Sequence, residues 1–541
     1  MTSTSIITRR AALLPLLSAL LLPQACTVLG PDYQAPPAQA LPSTWQASEV
    51  TDTSTANASW WQQFNDPVLD ALVDSGARQN LSLEAAGLRI VQARAALGIS
   101  DALIYPQLQN ASGNLTKVYQ NEQSLNSAGV SLDVGWEMDI WGKYARGIES
   151  AEAGLYATIA SYRDVLVAIT SEIARNYINY RTSQERIYLS QQNIAIQQRV
   201  VEMTQVQFDS GNVSELDVQQ AKTQLYATQS TLPALRSSMA QSVNAIAVLL
   251  GTLPETIKPL LALDEEGYTR NIDDRMAPTD STPQAHENFR AEYDSQSLIP
   301  VSPRISTTID AQKVSARPDL QVAELQARAQ NARIGARQAD LYPQFFLAGS
   351  IGLSDTVPSG GSFSASNAVS AAVGPGFSWN IFQYGRIKNQ VRIEDARFQE
   401  ALVNYNQQVL DAVREVSNAL VAYQYSREQA DYNLAAVESS IRAFNISATQ
   451  YDAGLVTYQR LLSTVEKMTL REDAYAQNRG SIAKNIVDLY KAMGGGWENY
   501  ESQPRVHPET VETMKARTDW GDYLDAEKMM GGDRSSDDDT E

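Results

Sequence analysis

The sequence predicts a mixed fold in which long α-helical coiled-coil hairpins are joined to membrane-spanning β-strands, with this unit repeated in tandem. Two motifs show the repeat, because Tyr105–Gln107 recurs as Tyr342–Gln344 and Phe208–Val213 recurs as Tyr451–Val456, 237 and 243 residues later. Within each half, the spacing of apolar residues changes from two to a 3-4 pattern, which distinguishes strands from helices. Two similar halves imply that each builds the same supersecondary unit.

The predicted strands lie at about 108–140 in the first half and about 344–382 in the second. Apolar residues there occupy alternate positions, most clearly in the series Val130, Leu132, Val134, Trp136, Met138 and Ile140. One apolar face suits a strand with lipid on one side and water on the other. About eleven tilted residues rise roughly 25 Å, the apolar height of outer-membrane barrels. Aromatic residues near strand ends are typical of membrane interfaces, and here they are Trp136, Trp141, Phe377, Trp379 and Phe382.

Four strands per chain cannot close a barrel, which needs about eight. If these strands span a membrane, several chains must therefore contribute strands to one barrel. Geometry alone allows an eight-stranded dimer or a 12-stranded trimer. Alternation by itself would also suit the edge of a soluble β-sandwich, although two hairpins far apart in the sequence make a poor sandwich. No other segment offers the roughly 18 uninterrupted apolar residues of a transmembrane helix.

The rest of each half is predicted to be a long helical hairpin, at about 145–251 and about 386–493. The first helix repeats apolar residues at coiled-coil spacing, in the series Ile159, Tyr162, Leu166, Ile169 and Ile173. A helix of about 64 residues at 1.5 Å per residue is roughly 95 Å long, far beyond a globular helix. Gly211 and Gly454 mark the turns of the two hairpins, and Ser214 is the predicted N-cap of the first returning helix.

Composition excludes several classes of function. Lys and Arg total 43 against 62 Asp and Glu, giving a net charge of −19. A phosphate backbone demands a basic surface, so nucleic acid is not the ligand. One Cys and two His residues leave little material for a zinc site or a catalytic centre. His286 and His507 lie in acidic or Pro-bounded segments, and the sequence has no nucleophile elbow or phosphate loop. We therefore predict no enzyme activity, no metal site and no cofactor.

The N-terminus has the features of a secretory signal peptide. Arg9 and Arg10 precede the apolar run Ala11–Leu22, which at roughly 18 Å is too short to cross a bilayer core of about 30 Å. The run ends before Cys26, and the preceding residues resemble a bacterial lipoprotein box, although Pro23 stands where such boxes carry an aliphatic residue. Cys26 is therefore the predicted lipidation site, carrying diacylglycerol and palmitate at the mature N-terminus.

Several motifs, found in order over about residues 26 to 500, carry a resemblance to a known family. The sequence resembles the TolC-like outer-membrane factors of tripartite efflux pumps, and among them the OprM/NodT-type outer-membrane efflux lipoproteins. The motifs are Gly30–Gln34 after Cys26, Leu232–Leu235 leading to Ala247–Gly251, Arg317–Asp319 with Ala323 and Glu324, Leu341–Pro343, and Ala492–Trp497.

The resemblance implies a homotrimer with a 12-stranded barrel in the outer membrane, continued by a helical coiled-coil barrel across the periplasm. It implies a passive channel that contacts outer-membrane lipid and is engaged by a periplasmic adaptor (membrane fusion) protein and an inner-membrane RND-type transporter. A duct for type I protein secretion or for metal efflux is the alternative within this class. A surface coiled-coil adhesin, from a different class, would explain the helices but not the strands repeated in both halves.

The predicted organisation follows the repeat. It comprises a signal peptide (1–25), a lipid-anchored N-terminal segment (26–62), a first outer-membrane-efflux repeat (63–251), an equatorial insertion (252–310), a second repeat (311–493) and an equatorial C-terminal segment with an acidic tail (494–541).

The resemblance also places two functional sites at the hairpin turns, the periplasmic tip. The predicted adaptor contacts at the tip are Gly211, Val213, Gly454, Leu455 and Val456. Relatives close the tip with an acidic ring shortly after the second turn, where this sequence has Ser463. The gate candidates are therefore Ser463 and the nearby charges Asp209, Asp452, Arg460 and Glu466.

Overall fold

In the computed structural model the described residues are 28–36, 44–45, 58–120, 123–262, 283–305, 309–310, 314–364 and 368–525. The predicted signal peptide, Cys26 and the end of the acidic tail lie outside them. The α-helices of the described residues are α1 (Pro67–Gln79), α2 (Leu81–Ala102), α3 (Lys143–Asp209), α4 (Glu215–Leu249), α5 (Pro254–Ala262), α6 (Pro283–Ser295), α7 (Pro318–Ala339), α8 (Arg386–Asp452), α9 (Tyr458–Ala492) and α10 (Pro508–Arg517). None of the described helices is both long enough and apolar enough to cross a membrane.

The two helical hairpins are close copies of each other. Helices α3 and α8 each contain 67 residues, and α4 and α9 each contain 35. At 1.5 Å per residue, the longer helices are about 100 Å long. The turns contain Gly211 and Gly454 at φ 77° and 71°, a left-handed conformation that glycine adopts without steric cost. Ser214 is the N-cap of α4, and its backbone N–H donates to the Asp217 carboxylate at 3.0 Å. The predicted repeat of long hairpins is confirmed.

Two short strands, β1 (Thr44–Trp45) and β4 (Ile309–Asp310), pair with each other. The long strands are β2 (Leu108–Gln120), β3 (Gln123–Glu137), β5 (Gln344–Pro358) and β6 (Val369–Ser378), and they form one antiparallel sheet in the order β2-β3-β5-β6. The central β3–β5 pair joins the two halves of the chain. Four strands per chain were predicted, two in each half, and the structure has all four.

The strands end a few residues before the predicted limits of 140 and 382. After β3, the Met138 N–H still donates to the Phe345 carbonyl at 2.9 Å, but the chain then turns towards the helix. Gly142 and Gly385, at φ 72° and 86°, precede α3 and α8. The last apolar residues of the alternating pattern therefore belong to the strand-to-helix junctions.

The main hydrophobic core lies where α1 and α2 pack against α3, and residues of α4 and α9 complete it. Trp60, Tyr177 and Ile173 are completely buried there, and the Trp60 ring stacks on Tyr490 with centroids 5.5 Å apart. The segment before α1 and the segment after α9 meet in this core. Smaller apolar clusters continue along the hairpins toward the turns, so the hairpins are held together over their length.

Candidate functional site

The four-stranded sheet has one apolar face and one polar face. Leu132 lies opposite Ile351, and Val130 lies opposite Leu353; all four side chains are exposed in the single chain. The other face consists mostly of small and polar residues, with hydroxyl contacts such as Ser112 to Ser131 at 2.9 Å. A sheet with a continuous exposed apolar face and a hydroxyl-lined opposite face is suited to lie between lipid and water.

Three tryptophans fasten the base of the sheet to the loops that precede β2 and β5. The Trp136 indole donates to the Ile104 carbonyl (2.8 Å), and its repeat equivalent Trp379 donates to the Leu341 carbonyl (3.0 Å). Trp141 donates to the Pro343 carbonyl (2.7 Å). A buried or half-buried indole requires a partner for its N–H. These residues were predicted as interfacial aromatics. In the structure they also connect the sheet to the preceding loops through hydrogen bonds.

The hairpin turns expose less apolar surface than the sequence suggests. Leu455 is 75% exposed, and space is open around the Cα of both Gly211 and Gly454. Val213 and Val456, two of the predicted adaptor contacts, are both half-buried. Val456 packs against the apolar cluster inside the tip, because the residues after the turn fold back onto the start of α9. Leu455 is thus the main exposed apolar group of the predicted adaptor contact.

The gate candidates lie close to the turns. Asp209 accepts a hydrogen bond from Gln205 at 3.0 Å. Asp452, Arg460 and Glu466 are exposed, and Ser463 is half-buried. Within the part of the chain that the structure describes, Asp452 and Arg460 do not pair with each other. Their charges are therefore available to groups outside the chain.

A hydrophobic ring from Leu461 or Leu462, which lie between Arg460 and Ser463, is an alternative way to close the tip. Leu461 is only 1% exposed and belongs to the cluster inside its own hairpin tip, so it faces the chain itself and cannot line a central axis in this conformation. Leu462 is half-buried. Of these two residues, only Leu462 could therefore form a hydrophobic ring that closes the tip.

Two tyrosines inside the tip were missed by the sequence analysis. Tyr451 and Tyr458 flank the Gly454 turn, with ring centroids 6.1 Å apart, and both are buried. Burial raises the pKa of both phenols above the ordinary value. The sequence does show a tyrosine on each side of the Gly454 turn. Apolar residues at such positions are also expected in any coiled-coil seam, so the pair did not point to a distinct feature of the tip.

Ion pairs join the two hairpins along α3 and α9. The Arg186 guanidinium binds both carboxylate oxygens of Asp473, at 2.6 and 3.1 Å, and Arg175 binds Asp488. Nearer the tip, the Asn193 amide donates to Glu472 at 3.0 Å. These partners are far apart in the sequence. The helical pattern predicts that each residue lies on a helix, but it does not predict which residue of the other helix it contacts.

The insertion between the repeats is fastened across both hairpins. Glu185 of α3, 1% exposed, accepts hydrogen bonds from the Ser297 hydroxyl and from the N–H groups of Leu298 (3.1 Å) and Ile299 (3.3 Å). On the other side, Asp294 accepts from the Tyr475 hydroxyl of α9 at 2.5 Å. Residues 283–305 therefore form a strap, a name used here for this segment, from α3 to α9.

The strap also binds α8, where the buried Glu438 carboxylate contacts His286 and Arg290. His286 thus contacts a buried glutamate, and His507 contacts Glu84 at 3.3 Å. Among the described residues there is no cluster of His, Cys, Asp and Glu that could hold a metal ion.

Comparisons with known proteins match this architecture. A model of the family described as Outer membrane efflux protein matches residues 72–252 and 312–495, the two repeats. Nodulation protein T of Rhizobium leguminosarum bv. trifolii is 29% identical over 476 residues, 87% of this chain and 94% of that protein. The probable outer membrane lipoprotein SilC of Salmonella typhimurium is 24% identical over 496 residues, 89% of this chain and 98% of that protein.

Solved structures agree with the sequence comparisons. The outer-membrane channel OprN superposes with a TM-score of 0.73 at 28% identity, over 87% of this chain and 99% of that one. CusC, a transmembrane channel, superposes with a TM-score of 0.71 at 23% identity, over 86% of this chain and 100% of that one; this second likeness concerns the fold. Helical hairpins and a four-stranded sheet in one chain are therefore a recurrent arrangement.

Proposed function

The chain belongs to the outer membrane efflux protein family, and we propose that this efflux channel is a homotrimer whose three sheets close one 12-stranded barrel. The observation that carries the proposal is the sheet itself. It has an apolar face, a polar face and two edges, β2 and β6, that have no neighbouring strand within the described chain. An open edge of that kind invites pairing with another strand, and barrel closure removes it.

The mass of the protein in detergent, with bound detergent and lipid subtracted, tests this assembly. Three copies of the mature chain are expected. A stable monomer or dimer would exclude the trimer, and a dimer would require an eight-stranded barrel instead.

The duct works with a periplasmic adaptor protein and an inner-membrane RND-type transporter, and the transporter determines the cargo. The names of related proteins support a duct that does not select its substrate. They include a cation efflux system protein of Escherichia coli, a toluene efflux pump outer membrane protein of Pseudomonas putida and a pyoverdine export outer membrane protein of the same species. The same channel design thus occurs with very different cargoes.

We expect Leu455→Asp to weaken adaptor binding without altering the oligomer. Leu455 is the exposed apolar group at the second turn, and a carboxylate there would have to be desolvated in the contact. Capture of the adaptor by site-specific crosslinking from the tip should fall by about tenfold, corresponding to roughly 1.4 kcal/mol. Val248→Asp is the matched control, because Val248 is equally exposed at the opposite end of α4. Equal adaptor capture by wild type and Leu455→Asp would refute the tip contact.

The gate prediction concerns Asp452 and Arg460. In a trimer, three copies of each tip residue surround one axis, and Asp452 of one copy pairs with Arg460 of the next to hold the tip closed. One exposed pair contributes only about 0–1 kcal/mol, so closure depends on the threefold set. Asp452→Ala and Arg460→Ala should each raise single-channel conductance at low salt, and high salt should reduce the difference by screening. Conductance equal to wild type across the whole salt range would assign closure to other residues, with Leu462 first.

We also propose that Cys26 carries the lipid anchor. Cys26→Ser should abolish palmitate labelling and leave insertion of the barrel intact, because the strands have their own apolar face. A wild-type protein without lipid would reject the anchor and would identify Pro23 as the departure that prevents processing.

A further inference from the structure

The contacts at the junction between the two halves of the chain indicate how neighbouring copies of the chain would contact each other. Trp141 follows β3 and crosses to the loop before β5, which is the next strand in the sheet. Its indole donates to the Pro343 carbonyl at 2.7 Å, and its ring lies 4.8 Å from the ring of Tyr342. The contact therefore fastens the end of one strand to the beginning of the strand beside it.

The repeat places the same two groups at the outer edges of the sheet. Residues 136–143 and 379–386 align at a constant offset of 243, which makes Tyr384 the equivalent of Trp141. The motif at 105–107 is the equivalent of that at 342–344, which makes Tyr105 the equivalent of Tyr342. Tyr384 follows the edge strand β6, and Tyr105 precedes the edge strand β2.

Both edge tyrosines are exposed in the single chain. Tyr384 is 103% exposed and Tyr105 is 69% exposed, whereas their internal equivalents are better covered: Trp141 is half-buried and Tyr342 is 41% exposed. Tyr384 also has a φ of 48°, a left-handed conformation that bulky residues seldom adopt. The two rings that contact each other within the chain thus have equivalents at the sheet edges that contact no other ring among the described residues.

We propose that a second copy of this chain supplies the missing neighbour, so that β6 of one copy pairs with β2 of the next and Tyr384 packs on Tyr105 of that copy. The inference rests on the proposed multi-chain barrel and adds its residue-level interface. The contact is heterologous, since the β6 edge of each copy meets the β2 edge of the next, and repetition of this contact is what closes a ring.

The internal ladders fix the register of this interface. Leu108 lies opposite Gly135, and Gln344 lies opposite Ser378. With the offset of 243 between β3 and β6, the offset between β2 and β5 is therefore 236. This is one less than the 237 of the preceding motif, because β2 begins one residue after Gln107, whereas β5 begins at its equivalent Gln344. Applied to the β3–β5 pair of Ser131 and Gly352, these offsets place Gly374 opposite Thr116 of the next copy.

The same offsets keep the two faces of the sheet continuous across the interface. Pro375 falls opposite Leu115, and Ala371 falls opposite Tyr119, all four on the apolar face of their strands. A slip of one residue would turn every side chain of one strand to the wrong face. The predicted register therefore agrees with the amphipathic pattern, which was not used to derive it.

Paired cysteine substitutions test the register. Gly374→Cys with Thr116→Cys should form a disulfide between copies, because residues directly opposite in an antiparallel pair have Cα atoms about 4.5–5.5 Å apart, within disulfide range. Gly374 suits the substitution, since a Cβ added there would meet no atom within 4 Å. The matched controls are Gly374→Cys with Asn114→Cys and Gly374→Cys with Val118→Cys. Their diagonal separation of about 7–8 Å exceeds disulfide range.

The expected yield of the inter-copy disulfide is about tenfold higher for the Thr116 pair than for either control, with the linked peptides identified by mass spectrometry. Cys26 is present in every variant, and the single-cysteine substitutions show its background. A higher yield from a control pair, or no link from any pair in a preparation whose mass is trimeric, would overturn the register and leave the trimer intact. A monomeric mass in detergent would exclude both the proposed trimer and this proposed interface.

A second measurement isolates the tyrosine contact. Tyr384→Ala should lower the temperature at which the oligomer dissociates in detergent, whereas Tyr384→Trp should retain it, because the equivalent position in the first half is already tryptophan. Equal dissociation temperatures for wild type and Tyr384→Ala would exclude the contact between Tyr384 and Tyr105.

Discussion

Ile351→Arg is expected to abolish the outer-membrane oligomer. Ile351 lies near the middle of β5 on the apolar face, opposite Leu132, and is exposed in the single chain. An arginine facing lipid near the bilayer midplane costs about 2–4 kcal/mol in a barrel, and a trimer would carry three of them. The measurement is the amount of oligomer recovered from outer-membrane fractions.

Ser350→Arg is the matched control, because it introduces the same side chain one residue away on the polar face. We expect this variant to assemble, with its three arginines directed into the water-filled interior. If both variants assemble equally, or if Ser350→Arg alone fails, the assignment of the two faces would be wrong.

Glu185→Ala is expected to release the strap, residues 283–305, from α3. The carboxylate is buried and accepts from the backbone of Leu298 and Ile299 and from the Ser297 hydroxyl. Its removal takes the acceptor away from the Leu298 N–H and the Ser297 hydroxyl, whereas the Ile299 N–H keeps the Ser297 hydroxyl oxygen at 3.1 Å. Each buried unsatisfied donor costs about 1–3 kcal/mol. Limited proteolysis should therefore cut within 283–305 at least tenfold faster in the variant, since 1.4 kcal/mol is a factor of ten.

Glu185→Gln is the control for shape, because the amide keeps one acceptor oxygen at the same place. The rate of cleavage of this variant within 283–305 should lie between the rates of wild type and Glu185→Ala. Equal cleavage of all three proteins would show that contacts to α8 and α9, through Glu438 and Asp294, hold the strap without α3.

Features set by local pattern were predictable from the sequence. The helical hairpins followed from coiled-coil spacing, and their turns from Gly211 and Gly454, which adopt the left-handed conformation that such turns require. The strands followed from alternation, and even β2 was located, although small and polar residues such as Ser112 and Asn114 weaken its apolar pattern. The internal repeat provided a second observation of each element.

Features set by distant partners were not predictable. Glu185 and Glu438 sit on helices whose periodicity is satisfied without them, and their partners lie 112 to 152 residues away. The burial of Val456 depends on how the turn folds back onto α9, which local spacing does not determine. Pairings such as Arg186 with Asp473 likewise require the helix packing itself.

Current through a planar bilayer containing the purified protein tests the central claim most directly, namely that copies of this chain form a duct. The account predicts discrete conductance steps for wild type and larger steps at low salt for Asp452→Ala, whose tip is less firmly closed. A bilayer that remains at its baseline conductance with both proteins, after their insertion has been verified, would contradict a duct and would favour a structural role for the helices.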